Sequence, residues 1–466
     1  MNRREFIRGA AILGGMSFAA GCAGDRFKLC SGGSMQGFAA KPLATVRVAI
    51  AELDDGHGLA AIRRLSMIPG VVVTAVWDRD PERVAKARAL LKEKGRSAAK
   101  EFTGAEGWKA MAESGAADVL YNCCRDGSLH TRITLFAMDC GMHALTEVLA
   151  ELPGAITLDD CWALVEASER NRVHAMMLEC CCYGEYEMLA LNLVRQGKLG
   201  DVVRCAGAYV HDQWVLQFKQ QQWRLQNALK RKGNFYPTHP LGPLSRVCGM
   251  NRGDRLETVV SMESDARSFE GFARSSMKGT PLENVKVSRG DANVTLIRTA
   301  GGKLITLLND MATPQPYDRK NLVSGTKGIM SGFSKRTFRV TFEDKPGEGT
   351  AEKWFDEAKA AQVAADYRHP LWRQVGELSK RIEGFGGMSF VMDVRWAYCL
   401  QNGLPLDTDV YDLATWGSIV DLSDRSVRQG SRSVELPDFT AGGWRTARPS
   451  AEESVDLKRL GRGEWA

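Results

Sequence analysis

The sequence lacks the features that identify several classes of protein. Its 62 basic and 56 acidic residues give a net charge of +6, but they form no long basic run, which argues against a nucleic-acid partner. The seven histidines include no HExxH spacing, which argues against a zinc hydrolase. Beyond the N-terminus no apolar stretch reaches the length of a membrane-spanning helix, and no internal repeat is present.

Cysteine is plentiful, but its spacing is unlike that of a metal site. Twelve cysteines are present, and no two of them are spaced as CxxC. Cys123 and Cys124 are adjacent, as are Cys180, Cys181 and Cys182, and consecutive side chains on a strand point to opposite faces. Such neighbours cannot easily share one ion. We therefore expect buried, apolar thiols and predict no metal site.

The N-terminus, MNRREFIRGAAILGGMSFAAGC, has the pattern of an export signal. Arg3 and Arg4, followed by a short apolar run, resemble the twin-arginine signal that carries folded proteins across a membrane. Ala19-Ala20-Gly21-Cys22 resembles a bacterial lipobox, in which Cys22 is lipidated. We predict export by the twin-arginine route to a periplasmic or membrane-anchored state, with a flexible tether up to residue 44. The alternative is an N-terminus that is apolar by chance.

From Val46 onwards, short apolar strands alternate with helices. The predicted strands are Val46–Ala51, Val71–Trp77, Asp118–Cys124 and Val173–Cys180. The predicted helices are Pro81–Gly95, Leu129–Gly141 and one that begins at the capping box Thr157-Leu158-Asp159-Asp160. This alternation is typical of a parallel sheet with covering helices.

The loop after the first strand, AELDDGHGLAAI, contains a degenerate dinucleotide-binding fingerprint. Gly56 and Gly58 match the first glycines of GxGxxA, and Asp78 ends the second strand, where an acid would bind ribose hydroxyls. The match is imperfect, because Glu52, Asp54 and Asp55 place negative charge where a pyrophosphate would approach a helix N-terminus. The alternative is that the glycines form only a turn.

Later segments resemble one family in their order and approximate spacing. They are GAITLDDCWALVE (154–166), MLECCCY (177–183), GAYVHD (207–212), WR (223–224), NFYPTHPLGPL (234–244) and LPLDTDVYDLATW (404–416). Through them the chain resembles the NAD-dependent α-N-acetylgalactosaminidases, glycoside hydrolase family 109, within the Gfo/Idh/MocA oxidoreductase superfamily.

The resemblance implies a fold and a domain organisation. After a signal and tether at residues 1–44, an α/β Rossmann domain that binds NAD(P) is expected at 45–165. An α+β substrate domain with a large open, mainly antiparallel sheet is expected at 166–466. Homo-oligomers are common in the superfamily, so a homo-oligomer is an open option here.

The resemblance also implies a redox-neutral hydrolysis with a tightly bound NAD. The sugar is oxidised at C3, loses its C1 substituent by elimination across C1 and C2, gains water and is reduced again. Because the cofactor ends as it began, one NAD⁺ bound before export suffices. This agrees with transport in the folded state. The substrate is a terminal sugar such as α-N-acetylgalactosamine.

Individual residues carry over from the family motifs. The substrate-side candidates are Glu179, Tyr209, Arg224, Tyr236, Thr238, His239 and Tyr317, with His239 and Tyr209 assigned to proton transfer. The cofactor-side candidates are Gly56, Gly58, Asp78, His130, Glu147, Val148 and Cys180. Cys180 departs from the family, which has Asn there, and Glu151 competes with Glu147 for the family's glutamate.

Other functions remain open on the sequence alone. A net NAD-dependent sugar oxidoreductase shares the expected fold but needs an external electron acceptor. A cofactor-less, sugar-binding lipoprotein is the other alternative, favoured by the acidic glycine loop. The sequence does not distinguish between sugars or anomers.

Overall fold

The computed structural model describes most of the chain. The described residues are 33–147, 157–212, 222–333, 337–343, 350–382, 385–449 and 453–460. Arg3, Arg4 and Cys22 lie outside them, as do Val148 and Glu151, so the predictions made for these residues stay predictions. Within the described part, every helix is too short or too polar to span a membrane.

The first part of the chain forms a six-stranded parallel sheet, ordered β3-β2-β1-β4-β5-β6. Its strands are β1 (Val46–Ala51), β2 (Val71–Asp78), β3 (Lys100–Thr103), β4 (Val119–Asn122), β5 (His143–Thr146) and β6 (Ala175–Met177). Its helices are α1 (Gly58–Leu65), α2 (Pro81–Glu93), α3 (Gly107–Glu113), α4 (Gly127–Asp139) and α5 (Leu158–Asn171). The strand order reverses between β1 and β4, so the crevice at their carboxyl ends is the expected ligand position of a doubly wound fold.

Local sequence explains several of these elements. The β1 segment VRVAIA is buried except at Arg47, as expected for a parallel strand covered on both faces. Asp80 caps α2, and Pro81 occupies its first turn, where a missing N–H costs nothing. The predicted capping box is present, since Thr157 and Asp160 bond reciprocally at the start of α5.

The second part of the chain is built on an eight-stranded sheet, ordered β13-β12-β11-β7-β10-β9-β8-β14. Its strands are β7 (Val202–Val210), β8 (Leu256–Glu263), β9 (Ala292–Thr299), β10 (Leu304–Asp310), β11 (Leu322–Gly325), β12 (Gly328–Ser331), β13 (Arg339–Phe342) and β14 (Val434–Glu435). Only β7 and β10 pair in parallel among these strands, so the predicted mainly antiparallel sheet is confirmed.

The helices of this part of the chain are α6 (Glu185–Arg195), α7 (Gln222–Lys230), α8 (Thr238–Cys248), α9 (Arg267–Ser276), α10 (Glu357–Asp366), α11 (Pro370–Ser379), α12 (Met388–Asn402) and α13 (Val410–Arg428). Of these, α8 packs on β7 and α13 packs on β8. Arg64 of α1 forms a buried ion pair with Asp393 of α12 at 2.7 Å, and Tyr121 of β4 donates to the same carboxylate. These contacts tie the two parts together.

The structure differs from the sequence-based boundaries at two points. The parallel sheet continues to Met177 in β6, beyond the predicted domain boundary at residue 165, because α5 is a crossover that returns the chain to the same sheet. The predicted strand ends early, and Cys180–Tyr183 forms a 3₁₀ helix. The opposite-face argument against shared ligands therefore does not apply to its cysteines.

Residues 33–44 are packed, so the prediction of a flexible tether is wrong for this stretch. Met35 is 3% exposed, and its N–H donates to the Tyr411 hydroxyl at 3.0 Å. The Leu43 N–H donates to the Leu400 carbonyl at 2.9 Å. The composition suggested a linker, but single apolar side chains and backbone hydrogen bonds anchor the stretch to α12 and α13.

Candidate active site

The centre of the site is a carboxylate–imidazole–phenol chain. Glu179 follows β6 and caps the 3₁₀ helix, accepting the Cys181 N–H at 3.1 Å. His239, in the first turn of α8, places Nδ1 2.8 Å from the Glu179 carboxylate. Its Nε2 lies 3.2 Å from the Tyr236 hydroxyl. The carboxylate thus fixes the proton on Nδ1 and leaves Nε2 to exchange a proton with an oxygen.

Burial and charge act in opposite directions on this pair. Burial raises the pKa of Glu179, but the charge of His239 and the hydrogen bonds from His239, Thr238 and Cys181 together outweigh it, and the net pKa lies below the usual value. Burial lowers the pKa of His239, but Glu179 outweighs burial and leaves that pKa above 6.5. The two groups therefore stabilise each other's charged forms, which is expected for a carboxylate that orients an acid–base histidine.

A second tyrosine ring lies beside the hydrogen-bonded Glu179–His239–Tyr236 residues. Tyr209 of β7 stacks on Tyr236, with ring centroids 4.2 Å apart and planes 22° apart, and meets His239 edge-on at 5.4 Å. The close fit of α8 against β7 needs Gly207, because a Cβ there would lie 2.6 Å from the Cβ of Pro240. The sequence of β7 therefore positions both tyrosines against the imidazole.

The remaining substrate-side candidates surround the same space. Tyr317 lies 5.9 Å from Tyr209 in an edge contact. Arg224 of α7 is buried, with its guanidinium 5.9 Å from the Tyr236 ring. Thr238 begins α8 and is fully buried. All the substrate-side residues predicted from the family motifs are thus brought together, although their individual roles stay predictions.

The structure adds residues that the sequence analysis left out. Arg319 donates to the Tyr317 hydroxyl at 2.8 Å and forms a buried ion pair with Glu187 of α6. His211 packs on Tyr317, with ring centroids 5.2 Å apart. His211 follows Tyr209 by two positions, and this period-two spacing could have identified it. The pairing of Arg319 with Glu187 is non-local and has no sequence signal.

Asn309 is a further addition. It is the β10 partner of Tyr209 in the parallel register, so both side chains face the same side of the sheet. It is 3% exposed, and its Nδ2 has no hydrogen-bond partner among the described residues. A buried amide donor without a partner is unfavourable, so this position suits a ligand oxygen.

A metal ion is also compatible with part of this cluster. Glu179, Cys181 and His239 each offer a ligand atom, and these atoms lie within 4.8 Å of one another. The predicted absence of a metal site rested on strand geometry, which the 3₁₀ helix replaces. The buried state predicted for the cysteines is confirmed for Cys123, Cys124 and Cys180–Cys182.

On the cofactor side, Gly58 and Gly56 have different environments. Gly58 opens α1 at the crevice between β1 and β4, and a Cβ there would lie 2.1 Å from the Glu52 carbonyl oxygen. This is the close helix–strand approach that the last glycine of a dinucleotide fingerprint permits. Gly56 lies in an exposed turn where a Cβ would meet no atom of the chain closer than 3.9 Å, so packing within the protein does not require a glycine there and its role toward the cofactor stays a prediction.

Asp78 and His130 are occupied by contacts within the chain. The Asp78 carboxylate accepts the Leu53 N–H at 2.8 Å and the Asp80 N–H at 2.9 Å. The His130 ring nitrogens contact the Cys124 carbonyl and the Thr146 hydroxyl, and burial lowers its pKa to about 4. Both residues brace the loops at the carboxyl edge of the sheet.

Glu147 and Cys180 link this edge to the substrate side. Glu147 lies 3.3 Å from Nδ1 of His57, which precedes α1. Cys180 is buried next to Glu179, and a hydrogen bond from Cys181 lowers the pKa of its thiol. The strand reversal, the close approach at Gly58 and these side chains fit a dinucleotide, except that acidic groups line the pyrophosphate position.

Sequence comparison identifies the family of this site. The family model for the glycosyl hydrolase 109 C-terminal domain matches residues 183–446. A glycosyl hydrolase family 109 protein of Solibacter usitatus is 36% identical over 455 residues, covering 96% of this chain and 99% of the relative. The chain belongs to glycosyl hydrolase family 109. A Bacteroides fragilis member named alpha-N-acetylgalactosaminidase is 36% identical over 417 residues, covering 88% of this chain and 95% of that protein.

Solved structures agree on the fold of this family 109 protein. An NAD-binding oxidoreductase from Klebsiella pneumoniae matches with a TM-score of 0.63 at 16% identity, over 84% of this chain and 99% of that one. A levoglucosan dehydrogenase in complex with NADH and levoglucosan matches with a TM-score of 0.61 at 16% identity, over 84% and 100%. These likenesses confirm the Rossmann-type first domain and the open-sheet second domain.

Proposed function

We propose that this protein is a redox-neutral glycosidase that uses NAD and acts on terminal sugars such as α-N-acetylgalactosamine. The buried Glu179–His239–Tyr236 chain is the observation that carries the proposal, because the reaction must move protons between a sugar and the protein. Family membership and the named activity of the Bacteroides fragilis relative support it. The fold, which is similar to that of NAD-binding oxidoreductases, supports the use of NAD as cofactor.

NAD, when bound, supplies the hydride acceptor and donor for sugar C3. Gly58 permits the close approach of α1 to the end of β1, and Asp78, Glu147 and Cys180 lie along the crevice that would hold the cofactor. Val148 belongs to the same predicted set.

His239 is the proton-transfer group in this proposal. Its Nε2 lies 3.2 Å from the Tyr236 hydroxyl, while Glu179 holds Nδ1–H and stabilises the imidazolium that forms when Nε2 takes a proton. Loss of the C2 hydrogen needs such a base, and addition of water needs the proton returned. Tyr236, in contact with Nε2, extends the path to a sugar hydroxyl. Tyr209, stacked on Tyr236, supplies the second phenol.

The other polar side chains orient the sugar. Arg224 presents a guanidinium suited to two sugar oxygens at once, and the Arg319–Tyr317 pair presents a phenol held in place by a buried cation. Thr238 and Asn309 add a hydroxyl and an amide. Their arrangement around one space allows several hydroxyl or acetamido groups to be held against His239.

The cellular setting belongs to the same proposal. Export in the folded state through the Arg3-Arg4 signal, anchoring at Cys22 and assembly as a homo-oligomer are proposed from the sequence and the superfamily. Replacing Arg3 and Arg4 with lysine should retain the protein in the cytoplasm, and unimpaired export of that variant would contradict the route. Mass spectrometry of the mature N-terminus tests the lipid.

The direct test uses p-nitrophenyl α-N-acetylgalactosaminide with protein stripped of nucleotide. Activity should appear on addition of NAD⁺, without accumulation of NADH and without a response to EDTA. NADH accumulating in proportion to sugar consumed would favour a net sugar oxidoreductase instead. Sugar binding with neither dinucleotide binding nor turnover would favour a cofactor-less binding protein. Loss of activity in EDTA would favour a metal at Glu179, Cys181 and His239.

A further inference from the structure

In the loop between β1 and α1, the carboxylate of Asp54 lies at the start of α1. The Asp54 side chain turns back over the start of α1, where Oδ1 accepts the His57 N–H at 2.8 Å and the Gly58 N–H at 3.2 Å. Backbone N–H groups at this position of a doubly wound fold are the donors that normally receive a pyrophosphate. In this chain they are already bonded to a carboxylate.

A cation from the neighbouring strand holds this carboxylate in place. Arg125 follows β4, and its Nε lies 2.7 Å from Asp54 Oδ2. The Arg125 N–H also donates to Glu52 Oε2 at 2.7 Å. Since β1 and β4 flank the point where the strand order reverses, the Asp54–Arg125 pair bridges the crevice in which a dinucleotide would lie.

Backbone geometry at Glu52 agrees with a replaced glycine. Glu52 has φ of +68°, a left-handed conformation that glycine adopts without strain, and it directly follows β1. Burial is the largest influence on its carboxyl group and raises its pKa. The loop therefore keeps the turn of a dinucleotide fingerprint but lines it with acidic side chains.

We propose that Asp54 is a built-in competitor for the NAD pyrophosphate, held at the N-terminus of α1 by Arg125 and displaced when the cofactor binds. This inference rests on the proposed use of NAD. Bound NAD and the Asp54 carboxylate require the same N–H groups, so only one can be bonded at a time. Displacement frees Arg125, whose guanidinium can then pair with a phosphate oxygen. Asp54 thereby lowers the affinity of the chain for NAD.

The test is calorimetric titration of the full mature chain with NAD⁺. Asp54→Gly removes the competing carboxylate and should bind NAD⁺ about tenfold or more tightly than the parent. Asp54→Asn keeps an oxygen that can cap α1 but removes the charge, so it should fall between the two. Asp55→Asn is the matched control, because Asp55 is an exposed acid of the same loop, and its affinity should stay within threefold.

The outcomes separate this inference from the proposed function. NAD⁺ affinity of folded Asp54→Asn and Asp54→Gly equal to or weaker than that of the parent overturns the inference, whatever the glycosidase activity. An equal gain in Asp55→Asn also overturns it, because the effect would then be bulk charge. Tighter NAD⁺ binding without hydrolysis of any glycoside supports the competitor and contradicts the proposed function. Thermal unfolding of each variant without NAD⁺ verifies the fold, and Asp54→Asn decides if Asp54→Gly does not fold.

Discussion

The two sides of the crevice differ in how completely they suit their ligands. On the sugar side, Glu179, His239 and Tyr236 form one hydrogen-bonded chain in which each group supports the next. On the dinucleotide side, Asp54 and Arg125 form an ion pair with each other at the position expected for the pyrophosphate. The groups proposed for proton transfer are thus already assembled, whereas the proposed NAD binding would have to break the contact between Asp54 and the start of α1.

The largest effect should come from His239→Ala. General acid–base groups typically contribute about 10²–10⁴-fold to a rate, and His239 is the group whose Nε2 is free of the carboxylate. We expect kcat for a responsive glycoside to fall by at least about 10²-fold while NAD⁺ affinity is unchanged. Steady-state kinetics and calorimetry check both. A loss below about tenfold would remove His239 from the chemistry and break the contrast.

A smaller effect is expected for Glu179→Gln, and it is visible in the pH profile. Burial lowers the pKa of His239, but the Glu179 carboxylate outweighs it and leaves the pKa above 6.5. The neutral imidazole that accepts a proton therefore forms only as pH rises through this raised value. Without the carboxylate, burial dominates and the acid limb of kcat/KM should move to lower pH. An unmoved limb would show that the titrating group is not His239.

The Glu179–His239 pair stabilises the fold to a degree that depends on pH in a defined direction. The raised pKa of His239 means that its contribution is lost as pH rises through that value, and the lowered pKa of Glu179 means that its contribution is lost as pH falls. The ion pair is therefore most stabilising between the ordinary values of 4.5 and 6.5. The free energy of unfolding of Glu179→Gln should therefore fall furthest below that of the parent protein in this pH window.

The glycine loop offers a comparison within one turn. Gly58→Ala forces a methyl group to within 2.1 Å of the Glu52 carbonyl oxygen and should lower the free energy of unfolding by about 1–3 kcal/mol. Gly56→Ala places a methyl group in ordinary contact, no closer than 3.9 Å to any atom, and should change it by less than about 0.5 kcal/mol. Denaturant titration of both variants measures the difference. Equal destabilisation would contradict the assignment of the close approach to Gly58.

The smallest effect is expected at Asn309. Its buried Nδ2 has no partner among the described residues, so Asn309→Leu should leave stability unchanged or slightly raised. If Asn309 holds a sugar oxygen, KM should rise several-fold with little change in kcat. Thermal unfolding together with the KM and kcat values checks this. A stability loss without any change in KM would make Asn309 purely structural.

How far the sequence predicts the molecule depends on the range of the interactions involved. The β1 strand and the Thr157 capping box follow from local patterns, and both are confirmed. The sugar-side residues could be gathered through the family motifs. The Asp54–Arg125 bridge could not, because it joins loops that follow different strands and depends on the strand order of the sheet.

Local composition was also misleading in places. The stretch around Met35 has the small and polar residues of a linker, and only the folded protein reveals its anchors on α12 and α13. The consecutive cysteines after Glu179 continue an apolar strand pattern, yet the Glu179 side chain caps a 3₁₀ helix there. In both cases contacts with distant parts of the chain or a single cap outweigh the local pattern.

Hydrolysis of a glycoside in D₂O tests the proposed redox-neutral elimination, with His239 as base and NAD as cofactor. The released sugar should carry solvent deuterium at C2, incorporation should require NAD⁺, and no NADH should accumulate. Release of sugar with hydrogen fully retained at C2 would contradict it, because a direct hydrolysis never breaks that bond.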